Sequence, residues 1–478
     1  MRQKISIAIF LFWSLISYSQ TWFPMGAGVS GSTLAPPSVA GIGYFGGKML
    51  ITGYFTNSGA TFLNGVSQWD GNQWLPMGTG IYHAILPAGN SGIGHSFIKY
   101  KDTLYLSGSF TTAGGTSGTD TTHLTKNIAK WDGTQWRPIK RWGDGFYGGA
   151  GPMIVYNDNL IIGGGFSGCA DSTFYLPTTS IAKWNDTVFS SIGSLTSNHP
   201  SGNDYVQRLC LYNGKVLMGG YVNAINGSPY GSYGFIATYN DTLWDTLSSG
   251  FNDAVFSLAV YNGELYAGGN FSATGEGVSA NHVAKWNGSQ WLPVGEGLND
   301  TVLVLHVDSL QNKLYAGGMF TQTGLGQPAK HIAEWNGTNW IEVGNGTNAY
   351  VQSLFAKDSN LYVGGAFTQV GSTTANHIAV WGSNPVGISE ISKELRKTKI
   401  YPHPNNGIFT LEYKLENDEK GLVNIMDVTG KLVASYSLTN TENSMKINAN
   451  DLNNGVYLYQ VVVNEKTINA DKLIIIKD

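Results

Sequence analysis

For most of its length the chain alternates apolar and polar residues in short stretches that stop at Asn-Gly, Asp-Gly or Gly-Gly. A period of two fits half-buried strands, and those dipeptides accept the positive φ of tight hairpin turns. One stretch shows the unit clearly. It runs Ser257-Leu-Ala-Val-Tyr-Asn-Gly-Glu-Leu-Tyr-Ala-Gly-Gly-Asn-Phe271, then a polar loop, then Asn281-His-Val-Ala-Lys-Trp-Asn-Gly-Ser-Gln-Trp-Leu-Pro-Val-Gly295. Two hairpins follow from this pattern, giving four strands, A to D.

The unit repeats. The Gly-Gly-x-Phe signature of strand B, or a variant of it, ends at Phe55, Phe110, Phe166, Tyr221, Phe271, Phe320 and Phe367. Strand C ends on an aromatic at Trp69, Trp131, Trp184, Tyr239, Trp286, Trp335 and Trp381, and a strand D aromatic follows five residues later at Trp74, Trp136, Phe189, Trp244, Trp291 and Trp340. The seventh strand D is missing after Trp381. It stands instead at the start of the repeats, where Thr21-Trp-Phe-Pro-Met-Gly26 matches Gln73-Trp-Leu-Pro-Met-Gly78 without strands A to C before it.

A unit split between the two ends lets the first strand complete the last sheet, which removes an open seam and its unpaired edge. The expected fold is therefore all-β: a seven-bladed β-propeller closed by its N-terminal strand and followed by a small β-sandwich. The period of about 50 residues resembles that of kelch-type propellers, without their usual signature residues. The A–B and C–D turns are short, so the B–C and D–A loops share the opposite face. The D–A connections are longest after the first three repeats. Conspicuous there are Tyr82, His83, His95, Arg141, Trp142, Asp144, Tyr147, His199 and Asp204. Aromatics beside a few polar groups suit sugar or peptide binding, and Tyr82, Arg141, Trp142 and Tyr147 are the candidate ligand-binding residues; packing among the loops themselves is the other reading of each.

Charge locates a boundary. Of the last 90 residues 23 are charged, against 37 of the preceding 388. The tail contains Lys399-Ile-Tyr-Pro-His-Pro-Asn-Asn-Gly-Ile-Phe-Thr-Leu411, Val423-Asn-Ile-Met-Asp-Val-Thr-Gly-Lys-Leu-Val433, Leu452-Asn-Asn-Gly-Val-Tyr-Leu-Tyr-Gln-Val461 and Lys472-Leu-Ile-Ile-Ile-Lys477. In that order these segments resemble the type A C-terminal sorting domain of the type IX secretion system of Bacteroidota. His403 departs from the resemblance, standing where asparagine is usual between the two prolines. At the other end, Arg2 and Lys4 precede an apolar run from Ile5 to Ile16, with Ser17 and Ser19 as a small-residue cleavage pattern. The expected organisation is a signal peptide over 1–19, the propeller over 20–384, a linker over 385–398 and the sorting domain over 399–478. No permanent membrane span is expected, because the apolar run is too short for one. The resemblance implies the type IX machinery as partner and a final location outside the cell, released or surface-attached.

Glycine is abundant at 63 residues, and the net charge of −4 is carried without any long basic run. Nucleic acid is therefore not an expected partner. Cys169 and Cys210 could form one disulfide or serve as two small buried side chains. His282, His331 and His377 recur at one repeat position, but strand C lies too far from the axis for neighbouring copies to share a metal. No cofactor or metal is expected. Asp186-Thr-Val188, Asp241-Thr-Leu243 and Asp300-Thr-Val302 resemble O-glycan acceptor triplets of exported proteins in that bacterial group, although Asp-Thr also makes good turns. No calcium loop, nucleophile elbow or zinc helix occurs. The expected role is binding of an extracellular glycan or protein; the alternatives are a polysaccharide-acting hydrolase or lyase, and a structural surface protein.

Overall fold

A computed structural model describes residues 20–31, 36–83, 92–117, 120–171, 174–193, 205–221, 224–225, 228–229, 236–382, 398–415, 419, 421–427, 431–439, 443–463 and 466–477. The expected signal peptide, most of the expected linker, His199 and Asp204 lie outside the described residues. The chain separates into two compact units, Met1–Pro385 and Val386–Asp478. Strands dominate both, with one 3-10 turn, Thr121–His123, among the described residues.

In the first unit each repeat forms one antiparallel sheet in the order A-B-C-D. Ser38–Phe45, Lys48–Tyr54, Val66–Trp69 and Trp74–Pro76 make the first, and Val302–Asp308, Lys313–Gly318, Ile332–Trp335 and Trp340–Glu342 make the sixth. The third sheet carries an additional strand, Phe174–Leu176, against Asn159–Asp171. In the last sheet, Val351–Lys357, Asn360–Gly365 and Ile378–Gly382 are joined by Thr21–Pro24, which pairs Trp22 with Trp381. The strand C and D aromatics fall directly opposite one another in every sheet, from Trp69 and Trp74 to Trp335 and Trp340. Ring centroids lie 4.8 to 5.4 Å apart. The five-residue spacing produces this contact because the turn between them is tight. At that turn the side-chain oxygen of Asp70, Asp132, Asn185, Asn240, Asn287 or Asn336 accepts the amides two and three residues on, the Asx geometry these residues favour.

The apolar core lies between consecutive sheets. One cluster joins Tyr266 of the fifth to Val302, Leu314 and Trp340 of the sixth, and another joins Val304 and Tyr315 to Val351, Leu361 and Trp22. A further cluster joins Met25, Ile378 and Val380 of the last sheet to Val39, Ile51 and Trp74 of the first. Each strand A lies against the next, and Val351–Lys357 lies against Ser38–Phe45. Hydrogen bonds cross the same boundaries: Ser353 Oγ donates to Val39 O at 3.0 Å, and Trp74 Nε1 to Met25 O at 3.2 Å.

The two glycines of strand B do separate jobs. A Cβ on the first would meet the valine that opens the next strand A: Gly219 with Val255, Gly268 with Val302, Gly317 with Val351, and Gly364 with Val39, at 2.6 to 3.0 Å. A Cβ on the second would strike the carbonyl at the entry to its own sheet's strand A, at 2.1 to 2.2 Å for Gly220, Gly269, Gly318 and Gly365. There the A–B register shifts by a bulge, which brings backbone against backbone.

The second unit has two antiparallel sheets. Lys399–Tyr401, Ile408–Glu412 and Ser444–Asn448 form one; Leu432–Leu438, Gly421–Met426, Gly455–Val463 and Lys466–Ile475 form the other. Phe409, Leu411, Val423, Ile425, Ile447, Val461, Leu473 and Ile475 share one core. Both Tyr401–Pro402 and His403–Pro404 are cis. His403 accepts the Ile474 amide through Nε2 at 3.2 Å, so the side chain that departs from the family pattern still serves this turn.

Candidate functional site

Trp142 lies on the connection between the second and third sheets and Tyr147 at the start of Gly145–Tyr156, the third sheet's strand A. The connection is braced from within. Asp144 is buried and accepts the Arg141 amide at 2.9 Å, while Gly143 N donates to Leu124 O at 2.7 Å. Arg141 and Trp142 are thereby turned to the exterior. Trp142 is 38% exposed and meets the His123 ring edge-on at 4.8 Å. Asp120 Oδ2 lies 2.9 Å from His123 Nδ1. Hydrogen bonds from Thr122 and the Thr116 amide, followed by the charge interaction with His123, hold the Asp120 carboxyl down at about 2.

Three residues after His123, Lys126 donates to the Tyr147 hydroxyl at 3.2 Å and places its ammonium 4.5 Å from that ring's centre, a cation–π contact. Tyr147 in turn meets Tyr175 at 5.4 Å. Tyr147, Phe174 and Tyr175 are 45%, 60% and 50% exposed. The result is two exposed aromatic groups: Trp142 with His123 beside Arg141, and Tyr147 with Lys126 and Tyr175.

Tyr82 is held differently from the other three candidates. It is 8% exposed, its backbone pairs with Thr112, and Thr112 bridges to Leu124, the residue that receives Gly143 N. Tyr82 thus supports the loop layer from within, and burial raises its pKa. His95 is farther in, with Nδ1 3.1 Å from Ala150 O and its pKa lowered by burial. It lines a cavity of about 470 Å³ between the strands A. His83 is partly buried and has its pKa lowered by the same cause.

His123, Lys126, Phe174 and Tyr175 were not among the sequence candidates. They lie in B–C connections, whereas the candidates came from the D–A connections. Both loop sets leave the same side of a four-stranded unit, so the signal was available in the strand order. His282, His331 and His377 have φ of +63, +66 and +70°, and their amides donate to Phe271, Phe320 and Phe367. They are left-handed turn residues before strand C, a conformation in which histidine is enriched. Among the described residues no three His, Cys, Asp or Glu side chains gather as a metal site. His331→Val is expected to cost about 1–2 kcal/mol by urea unfolding, because a Cβ-branched side chain resists this φ, and His331→Gly to cost less. Neither cysteine is bridged. Asp186 and Asp241 occupy left-handed positions in C–D turns, and Thr301 is buried and donates to Asn270; all three Asp-Thr pairs have local structural work.

Residues 399–477 match the family described as the secretion system C-terminal sorting domain. This tail directs the chain to the type IX secretion system and so to the cell surface or the medium. No curated protein matches the chain in sequence. Solved structures with similarity include the extracellular domain of a putative one-component system from B. thetaiotaomicron, at 11% identity and a TM-score of 0.44 over 96% of this chain and 58% of that one. The extracellular domain of a putative hybrid two-component system from the same organism is 11% identical, with a TM-score of 0.45 over 96% and 59%. The computationally designed Ika8 protein is 11% identical, with a TM-score of 0.40 over 94% and 100%. The chain spans less than two thirds of the length of the two sensor domains. Among the described residues no helix is long and apolar enough to cross a membrane.

Proposed function

We propose that this exported chain is a closed, kelch-like seven-bladed β-propeller that binds an extracellular glycan or protein through the face bearing Trp142 and Tyr147. Its signal peptide is removed after Ser19, and the tail from 399 hands the folded chain to the type IX machinery. Closure is supported by the strand from the chain's start within the last sheet and by the core shared between last and first sheets. The binding role rests on one observation: Trp142, Tyr147, Phe174 and Tyr175 are all exposed on the connections around the second and third sheets, where Tyr147 meets Tyr175 and Lys126 already engages a ring face. Flat aromatic faces give sugars and extended peptides large contact area at small cost in conformational entropy.

A glycan array probed with the full chain tests this, each bound glycan then being incubated and checked for cleavage. Saturable binding without cleavage is expected, and Trp142→Ala and Tyr147→Ala should each weaken it about tenfold or more, the range of an exposed aromatic anchor. Cleavage would replace the binding role with a hydrolase or lyase. Binding unchanged in both variants would move the site away from this face.

A further inference from the structure

The cavity between the strands A is lined from all seven sheets, by Ala40, His95, Gly151, Arg208, Phe256, His306 and Gln352 among others. Among the described residues no carboxylate lines it. Among the described residues Arg208 is its one permanent charge, on Tyr205–Tyr212, and it is partly buried there. Among the described residues no carboxylate pairs with it, and no hydrogen bond holds its fork.

The register shows why this arginine has room. After the bulge in each strand A, the residue opposite the first strand B glycine or its counterpart is Gly41, Ser96, Ser257, Val304 or Ser353 in five other sheets, and Arg208 in the fourth. Five small or medium residues and one guanidinium would not be selected by packing alone, since a partly buried cation without a partner is costly.

The surroundings are polar but neutral. His306, two sheets away, accepts the Ala356 amide through Nε2 at 2.8 Å, which places its proton on Nδ1. Burial and then the positive charge of Arg208 push its pKa down to about 4. Gln352 lines the cavity too, with its Oε1 buried and without a hydrogen-bond partner. The nearby Asp308 carboxylate is engaged by Leu310 N, Gln311 N and Gln311 Nε2.

We propose that this cavity binds a small oxyanion-bearing molecule, with Arg208 as the charged anchor and Gln352 and His306 as neutral donors beside it. A guanidinium fork matches the paired oxygens of a carboxylate, sulfate or phosphate group, and the volume admits a ligand of monosaccharide size. The lining residues come from strand A of every sheet. The site goes beyond the aromatic-face reading and does not depend on it.

The test uses the full chain with sodium glucuronate, citrate, sulfate and phosphate at matched ionic strength, by calorimetric titration and thermal unfolding. At least one anion should bind saturably and raise Tm; response to glucuronate or citrate alone assigns a carboxylate ligand, and response to sulfate or phosphate alone assigns a tetrahedral one. Arg208→Met should weaken binding about 10- to 100-fold, the range for a charged hydrogen-bonding group, and without anion should unfold at the same temperature as the parent or higher. Arg208→Lys, which keeps the charge and loses the fork, should weaken binding about tenfold and gives the reading if Arg208→Met does not fold. No saturable binding of any of the four, or equal binding by parent and variants, overturns the site.

Discussion

Trp22→Ala should lower the stability of the chain by about 3–5 kcal/mol, the cost of deleting a buried tryptophan, and should also release the N-terminal strand to proteases. Trp22 is almost fully buried, packs on Trp381 at 5.2 Å and donates its indole N–H to Gly344 O at 2.7 Å. It therefore holds three parts of the unit at once: the start of the chain, the last strand C, and the end of the preceding sheet. Trp291→Ala is the control. Trp291 is also buried and packs on Trp286, but its strand D is tied to strand C by the short turn at Asn287. Both variants should shift the urea midpoint followed by tryptophan fluorescence. Only Trp22→Ala should be clipped near its start under native conditions, because Thr21–Pro24 has no neighbouring strand in sequence to keep it in place, and its departure bares the edge of Ile378–Gly382. Equal protease resistance in the two variants would show that the first strand is not the closing element.

Gly318→Ala should be destabilising by about 3 kcal/mol, at the upper end of the overpacking range, and Gly317→Ala by about 1–3 kcal/mol. The two glycines are adjacent, yet their added methyls meet different obstacles. That of Gly317 would come within 2.6 Å of Val351 Cγ1, and that of Gly318 within 2.1 Å of the Thr301 carbonyl oxygen. A side chain can be shortened and a carbonyl cannot. Adding Val351→Ala should therefore recover part of the loss in Gly317→Ala, seen as a favourable coupling in a double-mutant cycle, and recover nothing in Gly318→Ala. Equal rescue of both would mean that the bulge backbone yields more easily than its geometry implies.

The repeat unit was legible because its signals are local. Asn287-Gly288 and the other C–D turns are set by one side-chain oxygen and two amides, and the aromatic pair beside each turn follows from a five-residue spacing. The displaced strand D was legible for the same reason, since Thr21 to Gly26 matches Gln73 to Gly78 residue for residue. The tail was read from strand and turn patterns in a fixed order. The aromatic surface was read in part. Arg141, Trp142 and Tyr147 stand out as conspicuous loop residues, but Tyr82 is of the same kind and is buried; nothing in its neighbours along the chain distinguishes it.

The four-strand unit, the split of its last copy, the change of composition before the tail and the character of that tail could be read along the chain, because each depends on residues close together in it. Which valine each Gly-Gly pair receives, that Tyr147 meets Tyr175, and that among the described residues no carboxylate accompanies Arg208 in a cavity lined from seven sheets come from the packing alone. Those facts, the tyrosine pair apart, are contacts between repeats about 50 residues apart or more. Alternation states which face of a strand turns inward, and the packing of one sheet on the next decides what that face meets.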